Sequence, residues 1–102
     1  STKKGARVPK FIFSLDKKLI SVFLQTFWDD EGSASESNVT GSSKSEKMID
    51  DLIILHRMFG INCTKNNNNK TGCFTLRLRS QYNNLLSFSK IINFSFSIKK
   101  NY

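Results

Sequence analysis

The stretch that decides the fold is Leu24-Gln-Thr-Phe-Trp-Asp-Asp-Glu-Gly32, where an apolar segment runs directly into three acidic residues and a glycine. Apolar residues recur with helical spacing through this stretch and before it, at Leu19, Ile20, Phe23, Leu24, Phe27 and Trp28. The spacing predicts a helix over residues 15–28. Its end is expected in the segment 29–32, because Gly32 favours helix termination. The positions between the apolar residues are only weakly polar, so we expect this helix to be buried on two sides.

Three acids, Asp29, Asp30 and Glu31, stand at the C-terminal end of this helix. Carboxylates there face the negative end of the helix dipole, which is unfavourable unless a cation or a hydrogen bond offsets the repulsion. A solvated acidic turn is the ordinary interpretation of such a tripeptide. That interpretation leaves unexplained why the turn ends the most hydrophobic helix of the chain.

Two helices are predicted from their capping signals. Ser14 is expected to cap the first helix, with Asp16 in its first turn. The segment Ser43-Lys44-Ser45-Glu46 fits a capping box that begins a second helix. Gly60 is expected to end the second helix, and Ile61 is placed for the hydrophobic contact that often follows such a cap.

Four strands are predicted around the second helix. Residues 33–43 favour a hairpin of two short strands, and residues 61–65 favour a third strand that is followed by an Asn-rich loop. The fourth strand, residues 72–79, alternates clearly: Phe74, Leu76 and Leu78 face one way, and Thr75, Arg77 and Arg79 face the other. With a third helix over residues 81–92, this order predicts an α+β fold. Its four antiparallel strands carry helices on one face and leave the arginine face open.

The composition favours a polyanionic partner. The chain has 102 residues, the length of one domain, and a net charge of +8. No signal peptide is recognisable and no apolar run approaches the roughly 20 residues of a membrane span, so we expect an intracellular protein, cytoplasmic or organellar.

Cys63 and Cys73 are equidistant from Asn68, which allows a cross-strand disulfide, although two free thiols are expected in a reducing cytosol. A zinc site is not expected, because His56 is the only histidine.

The stretch from Leu24 to Gly32 resembles the motif of the LAGLIDADG (dodecapeptide) homing endonucleases. The resemblance extends to the segments Val8-Pro-Lys-Phe-Ile12, Ser43-Lys-Ser-Glu46 and Phe59-Gly-Ile61, and to the order of helices and strands. It implies the αββαββα fold of that family, with residues 1–13 as a basic N-terminal arm and residues 14–102 as one unit. In this family the motif helix packs against that of a second unit, from a homodimer partner or an adjacent repeat. One departure is Thr26, which stands where the family has a glycine.

The resemblance also implies a metal-dependent active site. Glu31 matches the family's metal-binding acid, and the Asp30 carbonyl would be a second ligand to Mg²⁺ or another divalent metal. Lys99 resembles the family's catalytic lysine, although a basic tail is an equally good interpretation of this end of the chain. The motif helix would form the dimer interface through Val22, Gln25, Thr26 and Asp29.

The open sheet face would then enter the major groove of double-stranded DNA. The expected DNA-contacting residues are short polar side chains and cations, namely Ser33, Ser35, Ser37, Asn38, Thr40, Ser42, Lys65, Lys70, Thr75, Arg77 and Arg79. The implied activity is site-specific hydrolysis of DNA phosphodiesters, with intein or intron mobility as the biological setting. Two alternatives stay open: a regulator or maturase-like module that binds DNA or RNA without cutting, and one half of a two-motif endonuclease.

Overall fold

The computed structural model describes residues 5–34 and 39–79, without the side chains of residues 33 and 34. A short 3-10 helix, Lys10–Ser14, precedes six further elements. In chain order these are α1 (Lys17–Glu31), β1 (Gly32–Ala34), β2 (Val39–Ser43), α2 (Glu46–Arg57), β3 (Cys63–Asn68) and β4 (Cys73–Leu78). The expected order of helix, two strands, helix and two strands is therefore confirmed. The expected third helix, residues 81–92, lies outside the described residues.

Both helix caps differ from the predicted ones by two residues. The Asp16 carboxylate accepts a hydrogen bond from the Leu19 amide at 3.0 Å, so Asp16 and not Ser14 caps α1. Ser14 instead ends the 3-10 helix, and the extended conformation of Leu15 keeps α1 from starting earlier. At α2 the cap is Ser45, because Ser43 belongs to β2.

The four strands form one antiparallel sheet in the order β1-β2-β4-β3. Its inner face contributes Leu76 and Leu78 to the core, and both helices pack over that face. Buried residues of α1 and α2 complete the core, namely Ile20, Leu24, Trp28, Ile49, Leu52 and Leu55. Gly41 of β2 lies under the Phe27 ring, where a Cβ atom would come within 2.8 Å of the ring carbons. This glycine thus allows α1 to approach the sheet closely.

The hairpin of β3 and β4 turns at a different place from the predicted one. Asn68 pairs with Cys73, and the Asn68 side chain accepts hydrogen bonds from the amides of Lys70 and Thr71 in the turn. Asn66–Asn68 therefore belong to β3 and not to a loop. Cys63 lies opposite Leu78, so the two cysteines are not cross-strand partners, and both are free thiols.

Residues 5–13, which belong to the predicted N-terminal arm, contact the core and α2. Val8 and Ile12 are buried in the core, and the Arg7 guanidinium donates two hydrogen bonds to the buried Asp51 carboxylate at 2.9 and 3.2 Å. The hydrogen bonds to Asp51 and its negative charge raise the pKa of Arg7. The domain boundary at residue 14 stays a prediction, with residues 5–13 attached to α2 in the structure. Among the described residues, no helix has the length and apolar character to cross a membrane.

Candidate nucleic-acid interface and acidic helix end

The outer face of the sheet brings together four of the predicted DNA-contacting residues. Register places Thr40 opposite Arg77, and Ser42 opposite Thr75, so all four share the face that points away from the helices. Arg77 is exposed, and the other three are partly exposed. A groove of about 520 Å³ runs over this face, lined by Thr40, Asn66, Asn67, Asn68, Asn69, Lys70, Thr75 and Arg77.

The acidic side chains of the described residues lie away from the outer face of the sheet. Seven of the chain's eight acids lie in the described residues, and none of these is on β2, β3 or β4. They cap α1, form its C-terminal end or lie on α2. The outer face instead carries Arg77, with Arg79 beyond the end of β4 and Lys70 in the turn. This separation favours attraction of a polyanion to the outer face.

The structure does not place Lys65 on this face. Lys65 lies opposite Leu76, and its ammonium bonds to Glu46 at 2.6 Å and to Asp50 at 2.8 Å, both on α2. These bonds raise the pKa of Lys65. Because β3 extends through Asn68, Lys65 lies on the helix side of the sheet, and its contact with DNA stays a prediction.

The remaining predicted interface residues are only partly described. Ser33 lies in β1 opposite Thr40, but its side chain is not described. Ser35, Ser37, Asn38 and the candidate catalytic residue Lys99 lie outside the described residues. Their roles stay predictions.

The side of α1 that faces away from the core carries two exposed apolar residues. Leu19 is 50% exposed and Val22 is 51% exposed, whereas Ile20, Leu24 and Trp28 on the opposite side are buried. Of the other predicted interface residues, Thr26 is exposed, and Gln25 and Asp29 are partly exposed. The Thr26 hydroxyl donates to the Val22 carbonyl at 3.1 Å, so Thr26 satisfies its polar group within the helix. The sequence predicted that α1 is buried on two sides, and within the described residues one of these sides is buried.

The acidic residues lie where α1 passes directly into β1. Asp30 is exposed, Asp29 and Glu31 are half-buried, and the last turn contains no basic residue. Carboxylates and helix-end carbonyls are the hard oxygen ligands that Mg²⁺ prefers. The donor types therefore fit a divalent metal, although no group of three or more metal-ligating side chains is found in residues 5–34 and 39–79. The oxygen donors at this end of α1 include the carboxylates of Asp29, Asp30 and Glu31.

A buried hydrogen bond joins α1 to α2 directly before the acidic residues of α1. The Trp28 indole N–H donates to His56 Nε2 at 2.9 Å, and His56 Nδ1 donates to the Leu52 carbonyl at 2.7 Å. Both ring nitrogens are thus used by the neutral imidazole, and burial lowers the pKa of His56 to about 4. This buried role of His56 is not indicated by its being the only histidine of the sequence. Helical periodicity could have placed it on the core side of α2 with Leu52.

Comparisons with known proteins agree with this arrangement. A family model described as a LAGLIDADG-like domain matches residues 18–93. Over 60 residues, 57% of this chain, the sequence is 33% identical to a probable translation initiation factor IF-2 of Thermococcus kodakarensis, of which the match covers 5%. Among solved structures, a variant of I-DmoI in complex with its target DNA in the presence of 2 mM Mg is similar with a TM-score of 0.71 and 13% identity over 83% of this chain.

A second similar structure comes from mesophilic variants of the homing endonuclease I-DmoI, with a TM-score of 0.70 and 12% identity over 82% of this chain. At this level of identity the likeness shows the α+β fold alone. The chain spans 47% of each of these neighbours, about half of their length.

Proposed function

Because this chain belongs to the LAGLIDADG-like domain family, we propose that it is one unit of a site-specific endonuclease that cuts double-stranded DNA. The observation that carries the proposal is the joining of two features within one sheet. The outer face presents Arg77 with the neighbouring hydroxyls of Thr40 and Thr75, and the edge strand of the same sheet begins directly at the acidic end of α1. The face would bind DNA, and the acidic end would act on its backbone.

The active protein is proposed to contain two such units. Burial of exposed apolar side chains such as Val22 against a second surface lowers the free energy of the assembly. In addition, this chain spans about half the length of its structural neighbours. The second unit is a second copy of this chain or an adjacent repeat in a longer polypeptide. The match to a small part of a translation factor is compatible with a unit carried inside a larger protein, as in intein or intron mobility.

Glu31 and the Asp30 carbonyl are the groups proposed to hold a divalent metal. Pairing through α1 would bring the acidic ends of two units together, so that each supplies oxygen ligands that the other lacks. When bound, Mg²⁺ would neutralise charge on the phosphate and assist the attacking water. Arg77 and Arg79 would hold the duplex in register while this chemistry takes place.

The test is cleavage of a randomised duplex pool with Mg²⁺, comparing the wild-type chain with Glu31→Gln. We expect the substitution to reduce cleavage about a thousandfold, equivalent to about 4 kcal/mol. DNA affinity should stay similar or rise, because the amide removes a negative charge. Asp16→Asn is the matched control, since it removes a carboxylate from the other end of α1 and keeps a good helix cap.

Retained cleavage in Glu31→Gln would refute the metal-ligand assignment. Binding without cleavage by the wild-type chain would instead support a non-cleaving DNA-binding module of the same fold. A wild-type chain that binds neither DNA nor a second unit would contradict the proposal as a whole.

A further inference from the structure

Asn66 lies on the outer sheet face at a position that sequence analysis assigned to a loop. It is exposed in β3 and directly opposite Thr75 of β4. Thr64, two residues earlier, is opposite Arg77, so Asn66 and Arg77 are diagonal neighbours on one face. Diagonal neighbours in antiparallel strands lie about 7–8 Å apart.

The run of asparagines from Asn66 to Asn69 is divided into different roles by the fold. Asn67 lies opposite Phe74 and so alternates to the other side of the strand. The Asn68 side chain closes the turn by accepting from Lys70 and Thr71. Among the four, Asn66 is the one whose side chain both lies on the outer face and makes no hydrogen bond to another residue in the described ranges.

We propose that Asn66 is a specificity-determining residue that reads an adenine in the major groove, about two base pairs from a guanine read by Arg77. A carboxamide donates to adenine N7 and accepts from adenine N6, and a guanidinium donates to guanine N7 and O6. The separation of about 7–8 Å between the two positions matches two base steps of about 3.4 Å each. Thr75, between them on the face, is short enough to leave room for both contacts.

This inference rests on the proposed DNA-binding function and adds a base preference to it. Phosphate contacts from Arg79 or Lys70 would strengthen binding to every sequence alike. Loss of a base-reading contact would instead change the preference at one position and leave the others intact. The two kinds of contact are therefore distinguished by sequence selection and not by affinity alone.

The experiment is selection of bound duplexes from a randomised pool by the full chain, followed by sequencing. We expect the wild-type chain to enrich a guanine and an adenine two base pairs apart. Asn66→Ala should reduce the adenine preference about tenfold or more while leaving the guanine preference, and Arg77→Ala should do the reverse. Asn66→Asp should move the preference at the adenine position toward cytosine, whose N4 group donates to a carboxylate.

Asn67→Ala is the matched control, because Asn67 borders the same groove near the turn, but its side chain alternates to the opposite side of β3. It should leave both preferences unchanged. The inference is overturned if Asn66→Ala keeps the adenine preference, if it weakens binding to all sequences equally, or if Asn67→Ala has the same effect. Failure of the wild-type chain to retain any duplex would refute the DNA-binding function itself, and the base assignment with it.

Discussion

The two long helices pack on the same side of the sheet, but they differ in how their charged and apolar side chains are paired or covered within this chain. The acids of α2 are paired within the domain, since Glu46 and Asp50 bind Lys65 and Asp51 binds Arg7. On α1 the outward side carries the half-exposed Leu19 and Val22 and leads to an acidic end. This difference supports the proposal that α1 also contacts a second unit, whereas the acids of α2 are paired within this one.

The first prediction concerns a carboxylate placed on the exposed side of each helix in turn. Val22→Asp would bury two carboxylates in a symmetric pair of α1 helices, because each copy contributes one. Burial of unpaired charges costs several kcal/mol, so we expect the dimer dissociation constant to rise at least about a thousandfold. Sedimentation equilibrium with and without duplex DNA measures this change.

Ile54→Asp on α2 is the matched control, since Ile54 is 47% exposed and Val22 is 51% exposed. It should leave the dimer intact. Equal dissociation by both variants would show that α1 is not a special surface. A wild-type chain that is monomeric even on DNA would indicate that the second unit lies in another polypeptide segment.

The second prediction concerns the point where the two helices meet. His56 has its pKa lowered to about 4, whereas the unfolded chain takes up a proton near the ordinary value of 6.5. Between these values the unfolded state binds more protons, so the stability present above pH 6.5 is lost as the pH falls toward 4. We expect the free energy of unfolding to decrease by about 3 kcal/mol across this range.

Urea denaturation at fixed protein concentration from pH 7 to pH 4 measures this loss, with His56→Gln as the control. The control removes the titrating ring, so the difference between the two proteins isolates its contribution from that of the carboxylates. Parallel pH profiles for the two proteins would contradict the assignment. They would mean that protonated His56 is accommodated in the core between Trp28 and Leu52.

The sequence predicted the order of the elements and the composition of the outer face because both depend on periodicity. Alternation placed Arg77 and Thr75 on one side of β4, and helical spacing marked the buried residues Ile20, Leu24 and Trp28 of α1, although Leu19 of the same stripe is half exposed. Both features are repeated along an element, so a small error in its bounds does not change them. The same holds for the family resemblance, which depends on the residues 24–32 and on the order of elements.

The details that sequence missed depend on tertiary contacts or on single residues at element ends. Ser14 and Asp16 are both good caps, and only the extended Leu15 decides between them. Likewise, asparagine disfavours strands in general, so the register that brings Asn66 into β3 could not be read from composition. The turn closed by Asn68 fixes that register, and with it the side of the sheet on which Lys65 lies.

The last prediction has the smallest expected effect and concerns the side of the sheet on which Lys65 lies. It compares two cations on opposite faces of the sheet. Lys65→Ala removes partly exposed ion pairs with Glu46 and Asp50, so the free energy of unfolding should decrease by less than about 1 kcal/mol. DNA affinity should stay nearly unchanged, because this side chain points toward α2. Arg77→Ala should show the reverse pattern, with stability retained and DNA affinity reduced, and the two are compared by urea denaturation and by fluorescence anisotropy at equal salt. If Lys65→Ala weakens DNA binding as much as Arg77→Ala does, the helix side of β3 also faces the duplex, and the division between an internal face and a DNA face does not hold.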